Sequence, residues 1–435
     1  MGKEKVGLVA LVLIVSSWAV SSAPSSPSFR GDLSRGKASL TFGSASSSLV
    51  LNRVGSSVVL PLDGNVHPIG SYNATVYVGQ PPKPYFLDPD TGSDLTWLQC
   101  DVPGAHCTPT PHPRYPPSPD IVDCSDPICA SLHSGDYRCD HPEQCDYEVE
   151  YADGGSSLGA LVKDVVSFRS YSSSRVLSAR VALGCGYDQK PSPYNVPFLD
   201  GVLGLGKGRS SIVSQLSSRG LVANVLGHCL STRGGGFLFF GDDLYDSSRI
   251  SWTPMSRDYP KHYSPETAEL LFAGKPTGQK NLLLVFDSAS TYTYFSSEAY
   301  RALSLRVTNE LEKLSGKPFT EIRDPELPLC WKGRQSFKNI REVRKYFKPF
   351  ALTFNSGKRT KTQFEVPPES YLIISKMGNV CMGVLNGTQE KLGDTNVIGD
   401  ISMQDKMVIY DNANHCLGWA SEDCSQLPKS RAFAA

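Results

Sequence analysis

The chain has 435 residues, 40% hydrophobic and 20% charged, enough apolar material for two cores of ordinary size rather than one. Its 43 basic residues balance 43 acidic ones, and no basic stripe stands out, which argues against nucleic acid or an anionic membrane as the main partner.

At the N-terminus, Lys3 and Lys5 precede the apolar run "VGLVALVLIVSSWAV" and the small residues "SSAP". That layout predicts a secretory signal peptide over residues 1–23. No later stretch is apolar and long enough to span a bilayer, so the processed chain is expected to be soluble, in the secretory pathway and finally extracellular or vacuolar. Residues 24–65, rich in Ser and Gly, read as a removable leader.

From there the chain becomes short β-branched and aromatic runs broken by Gly, Pro, Asn and Asp, such as "NATVYVG", "CDYEVEYADGG" and "KMVIYDNANHCLGWA". This predicts a mostly β protein. Helices are expected near 210 ("SSIVSQLSSRGL") and 296, where Ala299, Leu303, Val307, Leu311 and Leu314 recur at helical spacing after a candidate cap at Ser296 or Ser297. The Cys- and Pro-rich stretch from 100 to 145 reads as an irregular insertion.

The twelve cysteines are Cys100, Cys107, Cys124, Cys129, Cys139, Cys145, Cys185, Cys229, Cys330, Cys381, Cys416 and Cys424. An even number in a secreted chain, without zinc-type spacing, predicts that all are in disulfides; the pairing is not legible. Asn73 and Asn386 head sequons that become glycan sites if exposed.

An internal repeat organises the chain. "DTGSDLTW" and "DSASTYTY" match as Asp90 with Asp287, Thr91 with Ser288, Gly92 with Ala289, Ser93 with Ser290, Thr96 with Thr293 and Trp97 with Tyr294. Gly204 of "GVLGLG" follows Asp90 by 114 residues, and Gly399 of "NVIGD" follows Asp287 by 112. The spacing predicts two lobes of one topology, 66–248 and 249–435, joined near 245–255.

Two aspartates in equivalent loops would face each other between the lobes, where ligand sites concentrate. Paired so closely, the carboxyls share one proton: the ionised member deprotonates a water and the protonated member donates to a peptide carbonyl. A competing motif, "GSSLG" around Ser157, fits a serine nucleophile, but that elbow needs a helix after it and both flanks here read as strands. With eight histidines and no H-E-x-x-H, metal hydrolysis lacks support; neither a metal nor a cofactor is expected.

On "PYFLDPDTGSDLTWLQCD", "YEVEYADGGSSLGALVKD", "FDSASTYTYF" and "VIGDISMQDKMVIYDN", the sequence resembles the pepsin-like aspartic proteases, in particular their plant nucellin-like branch, over about residues 60–425. The resemblance implies a bilobal antiparallel β fold, a cleft for a protein or peptide substrate, and a monomeric endopeptidase made as a zymogen and working at acid pH. It implies that Asp90 and Asp287 form the catalytic pair. Ser93 and Ser290 would support their outer oxygens, Thr91 and Ser288 would lock the loops, Tyr151 would be the flap tyrosine and Trp97 its partner. Two positions depart from the family pattern: Pro89 removes a backbone donor, and Ala289 adds a methyl group where the pattern has glycine. Both are expected to weaken turnover. The alternative is a pepsin-fold protein that binds without cutting, as plant inhibitors of microbial glycosidases do.

Overall fold

The computed structural model describes residues 57–133, 143–169, 176–192, 198–355 and 361–427. The signal peptide, most of the predicted leader and Cys139 lie outside them. The strands that position the site are numbered in chain order. In the first half these are β1 (Val58–Asn65), β2 (Ser71–Val78), β3 (Lys83–Asp90), β4 (Trp97–Gln99), β5 (Asp146–Glu150), β6 (Ser156–Arg169), β7 (Val176–Lys190), β8 (Gly201–Gly204), β9 (Val225–Leu230) and β10 (Gly236–Phe240). In the second they are β11 (Ser251–Pro254), β12 (Leu284–Phe286), β13 (Thr293–Phe295), β14 (Val384–Asn386), β15 (Asn396–Ile398), β16 (Lys406–Asp411) and β17 (Cys416–Ser421).

The repeat in the sequence is a repeat in topology. β3 pairs in parallel with β8, β8 is antiparallel to β4, and β4 runs parallel to β7. In the second copy β12 pairs in parallel with β15, β15 is antiparallel to β13, and β13 runs parallel to β14. In each copy the aspartate loop crosses over the apolar-apolar-Gly element. A Cβ on Gly204 would lie 2.4 Å from the Asp94 carbonyl, and one on Gly399 2.0 Å from the Tyr292 oxygen. Close approach, rather than an unusual dihedral, is what demands glycine there.

The lobes do not own separate sheets. A thirteen-stranded sheet runs β11-β17-β16-β9-β10-β1-β2-β3-β8-β4-β7-β6-β5, so three strands from beyond residue 250 complete a sheet begun by the first half. β9 is the junction, paired with β10 on one side and β16 on the other, and Cys229–Cys424 staples it to the chain after β17. The remaining described strands form three four-stranded sheets in the second half. The fold is mostly β and bilobal, with pseudo-symmetric halves.

The end of the predicted leader is not irregular chain: Val58–Asn65 is β1, paired with both β10 and β2, with half of its residues buried. Its "VVLPL" is buried on both faces except at Pro61, with Val58, Leu60 and Leu62 in one apolar cluster and Val59 in another. Nor do all the cysteines pair: the disulfides are Cys100–Cys185, Cys129–Cys145, Cys229–Cys424 and Cys330–Cys381, and Cys124 is oxidised too, but Cys107 and Cys416 are free thiols. Cys107 faces the carbonyls of Cys100 and Gly186, at 3.9 and 4.0 Å, instead of a second sulfur.

The helices form where periodicity places them. Ser211 accepts from the Ser214 N–H at 3.3 Å and caps Ile212–Ser218. Ser297–Glu312 buries Ala299, Leu303, Val307 and Leu311, with Ser296 at its N-cap position making no side-chain capping bond. No described helix is long and apolar enough to cross a membrane.

Candidate active site

Asp90 ends β3 and Asp287 follows β12, and both are wholly buried. The loops that carry them interlock. The Thr91 N–H donates to Ser288 Oγ at 3.2 Å while the Ser288 N–H donates to Thr91 Oγ1 at 3.0 Å. The Thr91 hydroxyl donates on to the Phe286 carbonyl at 3.1 Å, and the Ser288 hydroxyl to the Pro89 carbonyl at 2.6 Å. Four reciprocal bonds between loops 197 residues apart hold the two carboxyls against each other.

Each carboxyl has matching local donors. Asp90 Oδ1 accepts from the Gly92 N–H at 2.7 Å and its Oδ2 from the Ser93 hydroxyl; Asp287 Oδ1 accepts from the Ala289 N–H at 3.0 Å and its Oδ2 from the Ser290 hydroxyl at 2.7 Å. The two carboxyls are close enough for the charge of one to act directly on the other. Burial raises both above the ordinary carboxylate range. Donors from Ser93 and Gly92 partly offset this for Asp90, whereas the charge of Asp90 pushes Asp287 further up. A pair in this state retains a proton where isolated carboxyls have lost theirs.

Beside the pair lies a cavity of about 230 Å³ whose lining includes Asp88, Trp97, Tyr151, Asp153, Phe198 and Ala289. Tyr151 opens the turn between β5 and β6, and its hydroxyl accepts from Trp97 Nε1 at 2.6 Å. Neither this cavity nor a roomier one of about 400 Å³ among Tyr245, Lys406 and Trp419 has Asp90 or Asp287 in its lining, but only the first holds residues of both aspartate loops, Asp88 two positions before Asp90 and Ala289 two after Asp287.

Neither departure distorts the loops. Neither Gly92 nor Ala289 adopts a positive φ, so the methyl group of Ala289 meets no backbone penalty and lines the cavity instead. Pro89 offers the interface only its carbonyl, the one backbone group proline keeps.

Ser157 is placed elsewhere. It lies within β6, fully buried, with its hydroxyl 3.0 Å from that of Tyr147, and strand rather than helix follows it. Asn73 and Asn386 are half-buried on strands β2 and β14, and Asn386 Oδ1 accepts from the Ser297 hydroxyl at 3.0 Å.

Three groups escaped the sequence reading. Asp88 sits two residues before Asp90, hence on the same strand face; that alternation is the signal that could have found it. Asp400, buried just after Gly399, has its pKa raised by burial and then by Asp88 and Asp287. His262 lies against the backbone of Gly92, and burial lowers its imidazole pKa; no local pattern points to this long-range contact.

Comparison with known proteins agrees with this architecture. The family model described as "Xylanase inhibitor N-terminal" matches residues 72–242 and "Xylanase inhibitor C-terminal" matches 268–421. An aspartic proteinase of Oryza sativa subsp. indica is 44% identical over 387 residues, 86% of this chain and 93% of that protein. Aspartic proteinase 39 of Arabidopsis thaliana is 27% identical over 405 residues, covering 86% of this chain and 79% of its own. Basic 7S globulin from soybean superposes with a TM-score of 0.65 at 17% identity, over 87% of this chain and 99% of its own, a likeness of fold. The chain belongs to the plant pepsin-like aspartic protease family.

Proposed function

We propose that the protein is an aspartic endopeptidase that hydrolyses peptide bonds of protein or peptide substrates at acid pH. The observation that carries this is the buried pair Asp90 and Asp287 on interlocked loops, each carboxyl with a backbone and a hydroxyl donor of its own. One carboxylate draws a proton from a water while the protonated partner donates to the scissile carbonyl oxygen, giving a tetrahedral diol. Returning a proton to the nitrogen as the C–N bond breaks completes the cycle. Donors from Ser93 and Gly92 favour the ionised form of Asp90, and the raised Asp287 is the natural proton holder. Activity is expected to fall as pH rises through the pair's upper titration, because both members are then ionised.

The disulfides fit passage through an oxidising compartment, and we assign the protein to the secretory pathway, extracellular or vacuolar, acting as a monomer without metal or cofactor. The inhibitor-type family descriptions favour one rival, a protein that binds other proteins without cutting. Against it stand both aspartates and the Tyr151–Trp97 contact. The test is digestion of a denatured protein by the purified, matured chain at acid pH, with and without a pepstatin-type inhibitor. Cleavage blocked by the inhibitor, and reduced about 10²- to 10⁴-fold in Asp90→Asn and Asp287→Asn, is the expected result. No cleavage together with no inhibitor binding overturns the reading and leaves the binding-only protein.

A further inference from the structure

Asp88 is the unexplained carboxyl of the site. Strand alternation puts it on the same face of β3 as Asp90, and its side chain lines the cavity beside the pair. Three neighbouring carboxyls are satisfied: Asp90 and Asp287 have the donors described above, and Asp153 accepts from the Gly155 N–H at 2.8 Å and from Ser192. Asp88 Oδ1 is shielded from solvent and has no hydrogen-bond partner among the described residues, a state it shares with Asp400 Oδ1, which does not line the cavity. A buried acceptor left open carries a desolvation cost that a ligand can remove.

The fold does not require an acid there. The pseudo-symmetric position in the second copy is Val285, fully packed on β12, and β3 pairs with β8 at Asp88 just as β12 pairs with β15 at Val285. An apolar residue therefore satisfies the same backbone environment, and the carboxyl at 88 answers to the cavity instead.

The character of the cavity narrows the ligand. Asp88 and Asp153 line it next to the aspartate pair, and exposed Lys190 is the one basic side chain among the described lining residues. Trp97, Tyr151 and exposed Phe198 supply apolar walls. A long aliphatic stem ending in a cation fits both features, the stem along the rings and the charge at the open oxygen. Burial and the surrounding carboxyls push Asp88 well above the usual range when no cation is present, so an arriving ammonium or guanidinium group takes the place of the proton, which leaves to solvent as the ion pair forms.

We propose that Asp88 is a specificity-determining residue, its carboxyl receiving a lysine or arginine side chain of the polypeptide substrate beside the scissile bond. This rests on the endopeptidase reading. The test uses transition-state mimics, statine-type peptides identical except for lysine or norleucine at a residue flanking the hydroxyl isostere, with lysine placed on each flank in turn. Their affinities are measured by calorimetry for the full processed protein and for Asp88→Val and Asp88→Asn.

The expected result is that the unmodified protein prefers one lysine peptide on the order of 10- to 100-fold. Asp88→Val should erase that preference while still binding the norleucine peptide. Asp88→Asn, nearly isosteric, should lose most of it and separates loss of charge from any folding defect. Equal affinity for lysine and norleucine on both flanks, or a lysine preference that survives in both variants, overturns the proposal alone. Failure of every peptide to bind the unmodified protein overturns the endopeptidase reading, and the proposal falls with it.

Discussion

The two aspartate loops share one topology and differ in how they are anchored. In the second copy the residue before the aspartate, Phe286, uses both backbone groups: its N–H donates to the Tyr263 carbonyl at 2.9 Å and its carbonyl accepts from Thr91. In the first copy Pro89 has no N–H, and only its carbonyl is used, by Ser288. The first copy takes its extra anchorage upstream, where the Asp200 carboxylate accepts from the Phe86 N–H at 2.7 Å and from the His112 N–H at 3.1 Å. Position 88 is acidic and position 285 apolar, and glycine at 92 faces alanine at 289. What stays fixed is the set of groups that touch across the interface, Thr91 with Ser288 and one carbonyl from each side. Divergence at 88, 89 and 289 falls where a backbone donor is dispensable or a side chain faces the cavity.

That comparison can be broken at its fixed part first. Thr91→Val and Ser288→Ala each remove a hydroxyl that both donates and accepts across the interface, and each is expected to cost about 1–3 kcal/mol in urea unfolding. Because the two hydroxyls belong to one network, the double variant should lose less than the sum of the singles. Full additivity would mean that the loops are held independently.

The unequal positions 88 and 285 give the next effect, one of sign. In the folded protein Asp88, Asp287 and Asp400 all lie well above the usual carboxylate range, each with burial as the leading cause. For an acid so shifted the folded state holds more protons than the unfolded one, so its contribution to stability falls as pH rises above the unfolded value. Asp88→Val, which copies the second loop, should therefore raise the melting temperature more at pH 7 than at pH 4. His228, buried and lowered to about 3 by burial, acts in the opposite direction below about 6.5, but it is common to both proteins and cancels in the difference. A gain that is flat across this range would contradict the burial argument.

The smallest effect is expected at Ala289. Since its φ is not positive, Ala289→Gly relieves no strain, and added chain freedom should lower stability by about 0.5–1 kcal/mol. Cleavage of the denatured substrate should change by less than about 5-fold. A large activation would show instead that the methyl group obstructs the cleft.

The sequence carried the repeat because paired loops need the same small set of residue types, and those types recur at matching spacing. Asp90, Asp287, the Tyr151 hairpin and the 297–312 helix are local patterns of this kind. The sheet that crosses from one half to the other was illegible, because β9 pairs with β16, bringing the His228 and Tyr410 side chains within 3.0 Å across 182 residues of chain, and nothing near either strand encodes its partner. The free thiols follow the same logic: whether Cys107 or Cys416 meets a second sulfur depends on distant chain. Asp88 was legible by period-two alternation alone; it was obscured by the motif beginning at its second neighbour.

The shared sheet also sets a schedule for biosynthesis. β9, "VLGHCL", is buried along its whole length, yet one of its edges is closed only by residues 406–411, which leave the ribosome long after it. Until they emerge, the first half presents an apolar strand with an open row of backbone donors and acceptors, the kind of edge that recruits foreign strands. A chain ended prematurely, anywhere between the two halves, is thus released with its most adhesive surface uncovered.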